Sequence, residues 1–332
     1  MTGRDEVWQV LEQILAVHFG RPSPVTALHR EPYIYSTSFA LEDLAVELAD
    51  GTSLRLIRKD LSASGLLQDA RTGKPSFLHE PCREIQTYQR MLSQAQLGTA
   101  TCYGAIVDPA SARYWLFLEK VPGRELYQLG EIDDWVAAAR WLVDLHSSAA
   151  LRVESVRQRN RHLISYDADF YRRWLNRAKS FAESAGRDQQ QALGVIGEGL
   201  EIALGRLAGL PATFVHGEFY ASNVLIGEGA GCRRVCPVDW EMAGIGSGLL
   251  DLAALCTGWD DRNVRAIARG YYKAWDKGTW PQDEVEFLLL LHCCQLCLAV
   301  QWLGWAPQWV APREHARDWL AEASQLAEGI AP

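Results

Sequence analysis

The sequence predicts an α+β protein built as two lobes, an antiparallel-sheet N-terminal lobe over residues 1–120 and a mainly helical C-terminal lobe over residues 121–332. Three observations carry the prediction. Apolar alternation before residue 60 is interrupted by turn residues at hairpin spacing. A continuous apolar run, RYWLFLE from Arg113, leads into Val121-Pro122-Gly123, as a buried strand enters a connector. Beyond that connector, apolar residues recur at helical intervals. A chain of 332 residues, 48% hydrophobic and 22% charged, has the length and apolar content for a sizeable core.

Taken in order, VTALHREPYIYSTSFALEDLAVEL from Val25 offers a strand, a hydroxyl-rich turn and a second strand. VELADGTSLRLIR from Val46 places Asp50-Gly51 between two alternating runs, a hairpin signal. PCREIQTYQRML from Pro81 has helical spacing, with proline suited to the first helical position. Helical patterns then cover WVAAARWLVDLHSSAA from Trp135, FYRRWLNRAKSFAESA from Phe170, residues 200–207 and most of 261–325. Two short pieces break this pattern as strands, TFVHG around Phe214 and VCPVDW around Val238. The apolar run from Phe287 is long enough to raise a membrane question. It carries His292, Gln295 and Gln301 with no flanking basic cluster, which favours a core helix.

A net charge of −8 gives the chain no electrostatic reason to seek nucleic acid or anionic lipid. The basic stretch from Arg152 reads as a solvated helix face. MTGRDEVWQV lacks the apolar core of a secretory signal, so a cytoplasmic location is expected, with the eight cysteines as free thiols. Cys294 and Cys297 have C-x-x-C spacing without a second ligand pair and read as core residues.

The chemistry concentrates in FVHGEFYASNVLI, residues 214–226. A carboxylate at Glu218 and a carboxamide at Asn223, on a turn between apolar runs, suit phosphoryl transfer. The carboxylate would orient or deprotonate an attacking hydroxyl, and the Asn oxygen would hold Mg²⁺ on nucleotide phosphates. That reading demands a second metal ligand, and Asp239 follows at the end of an apolar strand. It also demands a cation for the phosphates, and Lys59 ends the third predicted strand. Glu84 is the expected partner of Lys59. It shares a helical face with Tyr88 and Met91, whereas Glu80 precedes Pro81 and falls outside the helix.

These residues resemble the aminoglycoside phosphotransferase and choline kinase family, which has a bilobal protein-kinase-like fold. The family's His-Gly-Asp-x-x-x-x-Asn loop is matched by His216-Gly217-Glu218 to Asn223, and its Ile-Asp-Trp-Glu segment by Val238-Asp239-Trp240-Glu241. Asp251-Leu252-Ala253, the LEKVPG hinge from Leu118 and the helix ending at His146 also match, so the resemblance spans about residues 30 to 300. It implies an ATP- and Mg²⁺-dependent small-molecule kinase, with GTP as an alternative donor. Lys59, paired to Glu84, would hold the α/β-phosphates. Glu119 and Val121 would offer backbone groups to the base. Asn223 and Asp239 would ligate Mg²⁺, and His216 and Asp251 would brace the loop.

Two departures bear on function. YIYSTSF replaces a Gly-rich phosphate loop, so Ser36, Thr37 and Ser38 either cap phosphates or form an ordinary turn. Glu218 stands where the family has Asp. Reference pKa values of the two acids differ by only about 0.4, so the change is one of reach. Either the acceptor hydroxyl sits further from the loop, or the protein is a silent nucleotide-binding module. The acceptor is expected to be a small hydroxylated molecule such as a sugar, amino sugar or aminoglycoside-like antibiotic. Trp259, Trp275, Trp280, Trp302, Trp305 and Trp309 are candidate ring platforms, and Asp260 and Asp261 candidate anions for a cationic acceptor.

Overall fold

The computed structural model describes residues 6–33, 38–183, 186–228, 233–275, 283–305 and 315–330. The chain opens with helix α1 (Glu6–Phe19), which the sequence reading did not anticipate. Its buried residues Val7, Val10, Leu11, Ile14 and Leu15 follow the spacing of a single helical face. Five antiparallel strands come next in the order β1-β2-β3-β5-β4: β1 (Val25–Pro32), β2 (Leu41–Leu48), β3 (Ser53–Asp60), β4 (Cys102–Asp108) and β5 (Arg113–Glu119). The expected β2–β3 hairpin turns at Asp50-Gly51, where Gly51 has φ +85° and Asp50 Oδ1 accepts from Thr52 N at 2.9 Å. Strand β4 was also unforeseen.

Strand alternation divides the sheet between two tasks. Leu54 and Leu56 of β3 point at α1, in a cluster with Leu44, Val46 and Phe117. The alternate residues Arg55, Ile57 and Lys59 face the interlobe cavity. Lys59 sits in register between Leu41 of β2 and Leu116 of β5. Lys59 thus lies near the end of β3, as the sequence reading has it, with a strand on either side.

Helix α2 (Gln68–Gly73) follows β3, and α3 (Pro81–Thr87) starts with proline at its first position. Glu80 caps α3, its side chain accepting from Cys82 N at 3.0 Å. A π-helical turn, Tyr88–Leu92, and a short helix α4 (Ser93–Ala95) complete the segment. Glu84, Tyr88 and Met91 share the buried face, as their spacing requires.

Past the connector, β6 (Arg124–Glu125) joins a sheet with β9 (Val224–Glu228) and β10 (Arg233–Pro237). β7 (Ile164–Ser165), β11 (Gly244–Gly246) and β8 (Thr213–Val215) form another. The sequence reading found only two strand-like pieces here. β6, β7 and β11 are two or three residues long and hold their place through tertiary pairing, which leaves no alternation to read.

The helices are α5 (Ile132–Ser147), α6 (Val153–Arg159), α7 (Ala168–Phe181), α8 (Arg187–Leu207), α9 (Leu249–Leu255), α10 (Asp261–Ala274), α11 (Glu284–Leu303) and α12 (Trp319–Ile330). By length and composition α11 is the described helix able to cross a membrane. Here it is enclosed by α7, α8, α9 and α12, with Cys294 and Cys297 fully buried. The seven described cysteines are free thiols, and Cys232 lies outside the described residues. Arg152, which precedes α6, and Arg157 within it are exposed, so the basic stretch has a solvated face.

Leu11 is fully buried between α1 and the sheet. Leu11→Ala should lower unfolding free energy by about 2–4 kcal/mol in a urea melt, with the loss set by how far α1 can settle into the cavity.

Candidate active site

The site forms where β3, α3, the 216–223 loop and the turn after β10 meet. Its centre is Lys59, whose Nζ lies 2.7 Å from Glu84 Oε2 and 2.6 Å from Asp239 Oδ1. Glu84 Oε1 in turn accepts from the Trp240 backbone N–H at 3.2 Å. One carboxylate on α3 thus holds both the lysine and the turn that presents Asp239. Burial alone would lower the Lys59 pKa, but the attraction of Asp239 and Glu84 outweighs it and raises the value, keeping the ammonium charged.

Asp239 has φ +64° and ψ +65°, a left-handed conformation unusual for a residue with a side chain. Its carboxylate lines the cavity, with Oδ1 on Lys59. Asn223 sits at the end of a 3-10 turn, its Nδ2 donating to the Glu218 carbonyl at 3.0 Å. That bond sets the amide orientation and turns Oδ1 the other way. Asn223 O accepts from Val238 N at 2.9 Å, stitching the loop to the strand that carries Asp239.

The loop is held mainly from beneath, by its backbone. Asp251 Oδ2 accepts from His216 N and Oδ1 from Gly217 N, each at 2.8 Å. His146 Nε2 reaches the same Oδ2 at 3.2 Å. His216 Nε2 donates to Val238 O at 2.9 Å, while its Nδ1 accepts from Glu218 N at 3.3 Å. The ring is therefore the neutral tautomer protonated on Nε2, in keeping with burial lowering its pKa. Gly217 has φ +89°, and a Cβ there would lie 2.2 Å from Tyr166 Oη and 2.3 Å from the Met242 carbonyl.

Glu218 projects half-buried into the cavity. Burial first, then the nearby charges of Glu241 and Asp239, push its carboxyl up to about 8, against the pull of Lys74 and Lys59. Lys74 and Glu241 line the same space and were given no role by the sequence. Lys74 stands alone between a helix stop and Pro75, with no periodicity to mark it. Glu241 appeared only as part of a matched segment, though its separation of two from Asp239 was a usable signal. Lys74 Nζ lies 2.5 Å from Glu241 Oε2.

Other expected residues divide. Val121 lines the cavity with Pro122 and Gly123. Glu119 lines it as well; its carboxylate accepts from Arg234 Nη1 and Nη2 at 2.6 and 3.0 Å, and its N–H donates to Thr101 O. Ser38 lines the cavity and its hydroxyl bonds to Glu241, while Ser36 and Thr37 lie outside the described residues.

The cavity, of about 820 Å³, extends to a wall of Tyr220, Trp302, Trp305 and His315. Trp302 Nε1 donates to the Tyr220 hydroxyl at 2.8 Å. Trp259 instead packs edge-on against Trp135, and Trp275 stacks on Tyr271. Trp280 and Trp309 lie outside the described residues. Asp260 caps α10 by accepting from Asn263 N at 2.9 Å, and Asp261 lies in the first turn of that helix. Neither acid lines the cavity, because the helix start claims them.

The sequence family described as "Phosphotransferase enzyme family" matches residues 51–285. No curated protein matches the chain in sequence. Among solved structures, an ethanolamine kinase from Plasmodium vivax aligns with a TM-score of 0.58 at 10% identity, over 93% of this chain and 83% of that one. A microcompartment-associated aminopropanol kinase aligns with a TM-score of 0.54 at 14% identity, over 91% and 90%. A spectinomycin phosphotransferase, solved with ADP and spectinomycin, gives 0.53 at 12% identity over 97% and 98%. At these identities the structures bear on the fold, an antiparallel N-terminal sheet followed by a mostly helical part.

Gly217→Ala should destabilise the protein by about 2 kcal/mol or more, read in a denaturant melt, since left-handed strain adds to two collisions that cannot both relax. A second expectation concerns pH. The folded Glu218 carboxyl keeps its proton to about 8, whereas an unfolded Glu releases it near 4.3. The folded state therefore binds more protons across that window, and this group's contribution falls as pH rises from about 4 through about 8. In metal-free buffer Glu218→Gln should show a smaller drop in melting temperature between pH 5 and pH 9 than the unaltered protein. An equal drop in both would contradict the assignment.

Proposed function

Because the chain belongs to the phosphotransferase enzyme family, we propose that it transfers the γ-phosphoryl group of ATP or GTP, with Mg²⁺, to a hydroxyl of a small molecule. The supporting observation is the convergence of Lys59, Glu218, Asn223 and Asp239 on one cavity that also carries an aromatic wall. The donor set fits a hard divalent cation. Asn223 Oδ1 and the Asp239 carboxylate supply oxygens, and a cation of this kind takes few protein ligands alongside water and phosphate. Mg²⁺ held there would supply positive charge to offset the charge that develops during transfer.

The chain's own residues supply the rest. Lys59, fixed by Glu84 and Asp239, meets the phosphates already charged and oriented, with little reorganisation left to make. Glu218 accepts or orients the acceptor proton. Its raised pKa makes it a better proton acceptor than an ordinary Glu once ionised, and positive charge bound nearby draws the value back toward working pH. The extra methylene brings the carboxylate further into the cavity than Asp would reach. The acceptor hydroxyl accordingly sits higher above the loop.

For the acceptor, the wall of Tyr220, Trp302 and Trp305 suits the apolar face of a ring, as in sugars and cyclitols. Asp260 and Asp261 face elsewhere, which weighs against a polycation.

Glu218→Gln should lower kcat by about 100-fold or more while changing nucleotide affinity less than about threefold. Phosphate release or transfer assays across sugars, amino sugars, aminoglycosides and amino alcohols, paired with calorimetry, check this. Stabilisation by Mg·ATP with no acceptor-stimulated turnover in any class would instead leave a silent nucleotide-binding module.

A further inference from the structure

Resting on that reading, we propose that Lys74 is a second phosphate-positioning lysine, held on Glu241 in the nucleotide-free protein and turned to the terminal phosphates when Glu241 engages the metal. Lys74 and Glu241 come from opposite sides of the cleft and are almost wholly buried, with side chains 4% and 9% exposed. Both still line the cavity that holds Lys59, Glu218 and Asp239. A buried ion pair contributes little net stability over apolar packing, so its position beside the reacting groups points to use in the site.

Geometry ties Lys74 to the same ligand as Lys59. The two ammoniums rest against one aromatic ring, Phe39, at 5.0 and 5.6 Å from its centroid. Phe39 follows Ser38 in the segment that stands in place of a Gly-rich phosphate loop, and both residues line the cavity. That segment lacks the glycines that would let backbone N–H groups close over phosphates. A lysine reaching in from α2 supplies positive charge from the same direction.

The delivery is built into the chain. Lys74 N donates to Ala70 O, closing α2, and Lys74 itself is extended at φ −71° and ψ +121°. The following Pro75 favours that conformation. Arg71 ties the helix down, donating to the carbonyls of Ser64 at 2.6 Å and Leu66 at 2.8 Å. The flexible four-carbon stem of Lys74 can then swing without moving the helix.

The partner explains the exchange. Glu241 lies two residues after Asp239 on the same turn, so a cation bound by Asp239 also attracts the Glu241 carboxylate. Once that carboxylate serves the cation, the Lys74 ammonium has lost its counter-ion and a phosphate takes its place. Charge stays balanced throughout.

The test is calorimetric, with a non-hydrolysable ATP analogue and with ADP, each with and without Mg²⁺. Lys74→Met should weaken the triphosphate analogue with Mg²⁺ by about 10- to 100-fold and ADP by less than about threefold. Glu241→Gln should strengthen metal-free analogue binding about tenfold, because Lys74 is released, and adding Lys74→Met to it should abolish that gain. A lower melting temperature with the triphosphate-to-diphosphate preference intact in Lys74→Met would show a purely structural pair and overturn the proposal. So would a gain in Glu241→Gln that survives the double substitution, even where Lys74→Met alone is too unstable to measure. If the unaltered protein binds neither nucleotide, the phosphotransfer reading fails first and carries this one with it.

Discussion

Lys59, Glu84 and Asp239 are the constraint around which the rest of the molecule is arranged. An ammonium and a carboxylate withdrawn from water, as Lys59 and Glu84 are, are tolerable only when each charge meets a partner at hydrogen-bond distance. Lys59 satisfies this with contacts of 2.6 and 2.7 Å to the two acids. The requirement fixes β3, α3 and the turn after β10 against one another, because they deliver one charge each. The Trp240 N–H on Glu84 extends the hold to the backbone, so Asp239 is placed by the same carboxylate that orients the lysine. The left-handed strain at Asp239 is stored where the Lys59 contact and the Trp240 N–H bond hold the turn.

A second layer works through backbone bonds. Asp251 accepts from two consecutive loop N–H groups, and neutral His216 bridges to Val238. A loop held at its main chain can change its side chains without changing its path. On such a loop a Glu in place of Asp would carry its carboxyl further out without a change in the path of the main chain. With the Gly-poor 33–39 segment, the reach of that residue is where the sequence departs from the pattern it resembles.

Charge and packing also divide the cavity in two. Its inner end is crowded with titratable groups, where burial and like charges raise the Glu218 pKa and where Lys74 and Glu241 neutralise each other. The outer end is aromatic, with Tyr220, Trp302 and Trp305 tied together by contacts such as the Trp302–Tyr220 hydrogen bond. On the proposed function the first would take phosphate and metal and the second an organic acceptor, with Glu218, which lines the same cavity, acting where the two meet.

How much of this was legible from residues alone follows the range of each signal. The β2–β3 hairpin, the helix at Pro81 with Glu84 facing inward, and the order of Glu218, Asn223 and Asp239 are local patterns, and local periodicity and spacing reported them. Helix α1 belongs with them, since Val7, Val10, Leu11, Ile14 and Leu15 lie at helical spacing on one face. The short strands β6, β7 and β11 exist through pairing with distant partners, so no local pattern encodes them. The Lys74–Glu241 contact spans 167 positions, and the capping of α10 by Asp260 removed an acid that sequence position had placed near the acceptor. What the sequence determined by itself was therefore which groups are available and which face each occupies on its own element. Which charges share one cavity, and hence which pKa values move and which lysines face it, was decided by tertiary structure, because electrostatic coupling depends on distance and burial that no linear spacing records.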